Sequence, residues 1–151
     1  CLAFAREYSG ADYVINSAET SFETRKQQID EITSGIGVDV VFGCVGTTRA
    51  FGDGVRLMKR AGTYIEIGNL VDSAPVEFDL SRDLCAKHAT YIGMCINTPS
   101  AFNKAFNILL KHKNFNFQKI FTHRCGLEEL DKVLNQGKNR DYVKGLVEFK
   151  K

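Results

Sequence analysis

The 151-residue chain is poor in the features that usually settle a function class. No stretch approaches the roughly 18 consecutive apolar residues of a membrane-spanning helix, so no membrane partner is expected. Formal net charge is only +2 and the lysines are scattered, which excludes the basic stripe of a nucleic-acid binder. The one brief basic cluster, Lys111, His112 and Lys113, reads as a solvated helix end. Five cysteines (Cys1, Cys44, Cys85, Cys95 and Cys125) stand far apart with no C-x-x-C pair. Wide spacing inside apolar runs predicts reduced, buried thiols and a cytoplasmic protein. His88, His112 and His123 are equally dispersed. Zinc needs clustered thiolates or imidazoles, so no metal site is expected from this chain alone.

The remainder is ordinary for a soluble globular domain, with 44% hydrophobic residues, 25% charged and only two prolines. The chain opens at Cys1 inside a helical pattern of Leu2, Phe4, Ala5 and Tyr8, with no start signal before it. A helix without a cap, and no leader ahead of it, is the pattern expected of a cut chain.

Short apolar runs then alternate with helical patterns. Ser9-Gly10 breaks the first helix, and Tyr13-Val14-Ile15 predicts a short strand. Thr20 or Ser21 caps a helix to about Thr33, which Ser34-Gly35-Ile36-Gly37 ends. Val38-Asp39-Val40-Val41-Phe42 is β-branched and nearly continuously apolar, the mark of a strand covered on both faces. A helix from Gly46-Thr47-Thr48 through Lys59 follows, weakened by Gly52 and Gly54. Thr63 to Ile67 and Ala89 to Met94 are further strands, with a short extended piece at Val76-Glu77-Phe78 between them. Pro99 sits in the first turn of a helix carrying Phe102, Ala105, Phe106, Leu109 and Leu110. The tail reads as extended from Lys119 to His123, helical from Leu127 to Asn135, and a strand from Val143 to Phe149. The order implies βαβ units in an open α/β sheet.

Six phrases in sequence resemble the medium-chain dehydrogenase/reductase family, particularly its zinc-dependent alcohol and polyol dehydrogenases. They are Ala5-Arg6-Glu7 leading to Gly10 through Asn16, Glu31 through Val41, Cys44-Val45-Gly46, Arg60 through Gly68, Thr122-His123-Arg124 with Leu127-Glu128-Glu129, and Lys144 to Glu148. The chain departs from the pattern at Ser9, an extra residue, at Ala61, where glycine is usual, and at Gly52 and Gly54 inside a helix. The resemblance implies an incomplete doubly wound, Rossmann-type parallel sheet lacking its first two strands, with a C-terminal strand–helix–strand tail. Residues 1–117 would be a partial dinucleotide-binding domain, and residues 118–151 a tail returning to a catalytic domain. The family's G-x-G-x-x-G turn, zinc ligands and proton relay would all lie before Cys1, so no residue here is expected to be catalytic.

Ligands of open α/β sheets sit beyond the carboxyl ends of strands. Three such ends are present: Val45-Gly46, Ile67-Gly68-Asn69 and Met94-Cys95-Ile96. The resemblance implies that the first lies beside the adenosine ribose of NAD or NADP and the other two beside the nicotinamide ring. It also implies that Lys144 approaches the pyrophosphate, a point-charge role. Each residue has a plainer reading. Gly46 and Gly68 are turns, Met94 and Cys95 strand-end packing, and Lys144 a solvated terminal lysine. Asp39 and His123 read as structural groups rather than as an acid or a base, and Cys44 and Cys95 lack the electropositive neighbour of a redox thiol.

The parent implied by the resemblance moves hydride between a small alcohol and the nicotinamide cofactor, with zinc polarising the alcohol oxygen, as a homo-oligomer. The alternatives are a zinc-independent quinone or enoyl reductase of the same family, or a non-enzymatic nucleotide-binding or interaction module. A methyl-donor-binding transferase is not favoured, because this sequence has no glycine-rich loop after a first strand. The family's strand order, 3-2-1-4-5-6, carries a further expectation. Without strands 1 and 2, Val38–Phe42 becomes an open edge, and pairing with Tyr13–Ile15 is the most economical way to cover it. Pairing with another chain, or a detached first strand, are the other outcomes.

Overall fold

The computed structural model describes residues 2–68, 74–137 and 142–149. The chain divides into two units, residues 17–98 and residues 1–16 with 99–151.

The unit of residues 17–98 is built on a three-stranded parallel sheet in the order β1-β2-β3. Helix α2 (Phe22–Ile32) starts where Ser21 accepts the Thr24 N–H at 3.1 Å and stops at Thr33, as the capping signals predict. Gly37, at φ +87°, leads into β1 because any Cβ there would lie 2.8 Å from the Leu57 carbonyl oxygen. Strand β1 (Val38–Gly43) passes by helix α3 (Thr48–Leu57) to β2 (Met58–Glu66). The ladder is regular from Val40 opposite Thr63 to Gly43 opposite Glu66. Between Met58 and Thr63 the register slips, with Ala61 at φ +55° donating its N–H to the Lys87 carbonyl at 2.6 Å. Strand β3 (Thr90–Gly93) then pairs with β2 in parallel, from Thr63 opposite Thr90 to Glu66 opposite Gly93.

The core of this unit is Val55, Met58 and Tyr64, with Val41, Phe51, Phe78, Ala89 and Tyr91 packed against it. Arg25 is buried and fastens α2 to α3 through Asp53 at 2.6 Å, while also bonding the Thr20 carbonyl at 2.7 Å. The ammonium of Lys87 caps the end of α3, donating to the carbonyls of Val55 (2.6 Å) and Met58 (2.7 Å). Burial there pushes its pKa down. A single-turn π-helix at Leu80–Cys85 begins at Asp79 and holds buried Asp83 against Arg82.

In the other unit, α1 (Leu2–Ser9) ends before Gly10 at φ +70°, and Tyr8 meets Phe115 at a centroid distance of 5.1 Å. Helix α4 (Pro99–Lys111) carries no buried residue. Strands β4 (Phe121–Cys125) and β5 (Lys144–Val147) form a two-stranded parallel sheet, linked through a 3-10 turn at Leu127–Glu129 and α5 (Leu130–Gln136). Cys125 and Val133 are its buried apolar residues.

The α/β class, the incomplete parallel sheet and the strand–helix–strand tail agree with the sequence. Five local expectations do not. Tyr13–Ile15 is not a strand: it joins no ladder among the described residues, and a strand exists only where its backbone groups find ladder partners. Among the described residues β1 is the edge of its sheet, with a ladder to β2 alone. Coverage of β1 on both faces fails as well. Val41 packs on the α3 face, whereas Val40 and Phe42, on the opposite face, are exposed. The helix expected to reach Lys59 gives way at Met58, whose extended backbone begins β2. Lys119 and Ile120 belong to a 3-10 turn, Phe117–Ile120, rather than to the strand after it. The described cysteines are free, but Cys44, Cys85 and Cys95 are exposed because they sit where strands and the π-helix end. Only Cys125 among the described ones is buried.

Candidate functional site at the strand ends

Parallel register decides what the first sheet presents at its carboxyl edge. Gly43, Glu66 and Gly93 stand side by side across β1, β2 and β3. The chain therefore leaves all three strands at one level. The ladder runs one step further on each side: the Ile67 N–H donates to the Gly43 carbonyl and the Met94 N–H to the Glu66 carbonyl, both at 2.9 Å. Cys44-Val45-Gly46, Ile67-Gly68 and Met94-Cys95-Ile96 thus emerge from a common edge, as the sequence suggested for these turns.

Their side chains face water. Val45, Ile67, Met94 and Ile96 are all exposed, Ile96 to 88% with φ +62°. A β-branched residue in the left-handed region is strained. Four exposed apolar side chains at the ends of parallel strands offer a surface for a flat apolar ring. Across Gly46 the turn is tight, the Thr47 N–H donating to the Val45 carbonyl at 2.7 Å. Gly68 is glycine for a close approach, but to protein. A Cβ there would stand 2.6 Å from the Cys44 carbonyl carbon and the Val45 nitrogen. Lys144 is exposed at the start of β5, in the other unit. Asn69 lies outside the described residues.

Sequence reasoning missed Glu66. One carboxylate oxygen accepts the Gly68 N–H at 2.8 Å, and the other takes the Tyr64 hydroxyl at 3.3 Å. Burial, then the neighbouring Glu66 charge, pushes the Tyr64 phenol up to about 12. The available signal was a lone carboxylate between Ile65 and Ile67, one residue from a strand end. An apolar groove of about 540 Å3 opens on the α3 face beside these ends, lined by Phe51, Tyr64, Glu66, Phe78, Tyr91 and Ile92 among others.

Asp39 is 78% exposed and pairs with Lys59 at 2.5 Å. The hydrogen bond and then the charge of that lysine hold its carboxyl below the usual range. His123 stacks near Tyr142 (4.9 Å between centroids) with its Nδ1 2.9 Å from the Thr122 hydroxyl, which also receives the Val143 N–H at 3.0 Å. Both groups are tied into structure. Among the described residues no three His, Cys, Asp or Glu side chains gather as metal ligands do, so the donors present do not fit a zinc site. No helix formed by described residues is long and apolar enough to cross a membrane.

A family model described as zinc-binding dehydrogenase matches residues 2–111. A sorbitol dehydrogenase from Halalkalibacterium halodurans is 28% identical over 138 residues, covering 91% of this chain and 38% of the relative. An erythritol/L-threitol dehydrogenase from Mycolicibacterium smegmatis is 29% identical over 129 residues, covering 85% and 34%. Among solved structures, an alcohol dehydrogenase from Thermotoga maritima superposes with a TM-score of 0.84 at 33% identity, over 95% of this chain and 39% of that one. The chain spans less than two-fifths of the length of these three relatives.

Proposed function

Since this chain belongs to the zinc-binding dehydrogenase family, we propose that it is the downstream part of the cofactor-binding half of an NAD- or NADP-dependent, zinc-type alcohol or polyol dehydrogenase. The observation that carries this reading is the shared carboxyl edge of β1, β2 and β3, from which three turns with exposed apolar side chains emerge. In this reading Val45 and Gly46 pack beside the adenosine ribose. Ile67, Gly68, Asn69, Met94 and Ile96 cover one face of the nicotinamide ring, and backbone groups of these turns orient its carboxamide. The bound dinucleotide supplies the hydride chemistry. The chain's own part is to shield one ring face from water and so fix the face that reacts. Lys144 contributes a charge toward the pyrophosphate.

Residues 1–117 would serve the dinucleotide-binding domain, and residues 118–151 would return to a catalytic domain. The intact parent would act on a small alcohol in the cytoplasm as a homo-oligomer. Its zinc would be held by residues of that other domain, since the donors described here do not gather.

The sequence holds no G-x-G-x-x-G turn with its helix N-terminus for the pyrophosphate. Binding of dinucleotide by this chain is accordingly weak. Titration of the labelled chain with NAD, followed by amide chemical shifts, tests the proposal. Shifts should concentrate at Val45, Gly46, Ile67, Gly68, Met94 and Ile96, with a dissociation constant weaker than micromolar. Shifts elsewhere, or none, refute the site, and micromolar or tighter binding refutes the argument about the pyrophosphate.

A further inference from the structure

We propose that Glu66 is a positioning residue for the dinucleotide site, its carboxylate clamping the Gly68 turn of β2 against the Val45 turn of β1. The inference rests on the reading of those turns as the cofactor site.

Four residues interlock. Glu66 points its carboxylate to the face shared with Tyr64, two residues back on the same strand. There it accepts the Gly68 N–H at 2.8 Å, which bends the chain back immediately after β2. The Tyr64 hydroxyl, at 3.3 Å, steadies the second oxygen more weakly. Room for the carboxylate exists because residue 43, opposite it in the ladder, is glycine. A Cβ on Gly43 would stand 2.5 Å from that second oxygen and 2.6 Å from the Tyr64 hydroxyl. Gly68, so held, lies flush against the backbone of Cys44 and Val45, where its own missing Cβ leaves no slack.

The consequences are directional. The Gly68 N–H is committed inward, so this turn presents its apolar flank and its carbonyls outward. The spacing between the first and second turns is set by Glu66 rather than by the ladder, which ends with the Ile67 N–H. Tyr64 is buried among Phe51, Tyr91 and Gly54, so the anchor of the clamp belongs to the core. A displacement of α3 against the sheet would reach the cofactor turns through it.

The test measures two quantities on the labelled chain: hydrogen exchange of the Gly68 amide, and the NAD concentration that half-saturates the Val45 and Ile67 shifts. Glu66→Ala should speed Gly68 exchange and raise the half-saturating concentration, each roughly tenfold, as loss of one hydrogen bond to a charged acceptor implies. Glu66→Gln keeps an acceptor for the Gly68 N–H and should restore most of both. Unchanged Gly68 exchange in Glu66→Ala overturns the clamp. Faster exchange with unchanged NAD response also overturns it, leaving Glu66 a merely structural group. If Glu66→Ala does not fold, Tyr64→Phe decides by removing one anchor alone. It should move both quantities the same way by less, and no change in either refutes the proposal. Absence of NAD shifts in the unsubstituted chain would instead overturn the cofactor site, while the exchange arm still reports on the clamp.

Discussion

Two glycines in one helix should respond to the same substitution with opposite signs. Gly52 and Gly54 both interrupt α3, and in a sequence each is simply a weak helix position, costing about 1 kcal/mol relative to alanine. A Cβ on Gly52 would meet nothing within 4 Å. Gly52→Ala should therefore collect the propensity difference and stabilise by about 0.5–1 kcal/mol. A Cβ on Gly54 would stand 2.8 Å from a ring carbon of Tyr64 and 3.0 Å from a methyl of Val41. Tyr64 is only 1% exposed and locked among other rings, so it has little room to yield. Overpacking a tight site costs about 1–3 kcal/mol, and the closeness of a rigid ring places this case in the upper half. After about 1 kcal/mol of helix propensity is returned, Gly54→Ala should destabilise by about 1–2 kcal/mol. Urea denaturation of the two variants beside the parent chain measures both, provided the slopes agree. If both substitutions stabilise alike, α3 does not press Gly54 onto Tyr64. If both destabilise, Gly52 does not face open space.

Asp83 is buried, and its carboxyl is held below the usual carboxylate range, first by the Arg82 hydrogen bonds. Its folded pKa lies under the unfolded value near 3.8, so the stability it contributes is present above that pH and lost as pH falls through the folded value. Asp83→Asn should flatten this acid limb of the urea midpoint, and an unchanged limb would show that other carboxylates set it. The exposed edge of β1 predicts rapid hydrogen exchange at amides of Val38–Phe42 that do not face β2 in a dilute monomer. Uniform protection there would mean the edge is covered. Gly68→Ala should abolish the NAD-induced shifts by driving the two turns apart, and retained shifts would place the ring elsewhere. With no gathered metal ligands among the described residues and no fingerprint turn, the isolated chain should reduce no NAD with any alcohol. Turnover that copurifies with the chain through successive columns would contradict this.

The legible parts of the fold were those written in local chemistry. Ser21 and Thr47 cap helices through their own hydroxyls, Gly10, Gly35 and Gly37 take positive φ, and the β-branched run of β1 makes a strand. The three turns of the site were legible too, because a glycine or a break after each apolar run marks a strand end. Side-chain partnerships across the sequence were not. Nothing near Arg25 in the sequence points to its partner Asp53, 28 residues away. Lys87 caps a helix through the carbonyl of Val55, 32 residues upstream. Ala61 looked like a minor departure from a glycine pattern, yet its φ of +55° shows that the backbone keeps the shape glycine would allow. Glu66 needed Gly43, Tyr64 and Gly68 in three dimensions before its position meant anything.

The contrast between Tyr13-Val14-Ile15 and Val38 to Phe42 shows where pattern reading ends. Both are β-branched or aromatic throughout, apart from Asp39, and both were expected as strands. Only the second has a ladder, with β2. Extended backbone becomes a strand when its amides and carbonyls find partners, and β propensity describes how well side chains suit a pleated surface already there. For β1 that surface is supplied within the unit, because α3 returns the chain in parallel and Val41 meets the helix through the notch at Gly54. Even so, Val40 and Phe42 remain exposed on the other face. Their apolar character is in excess of what this chain covers, and the shared carboxyl edge of β1, β2 and β3 is nevertheless complete. The register that brings Val45, Gly68 and Met94 to one level depends on β2 pairing on both sides, not on what lies beyond β1. The level at which these three turns leave the sheet is thus set by β1, β2 and β3 themselves.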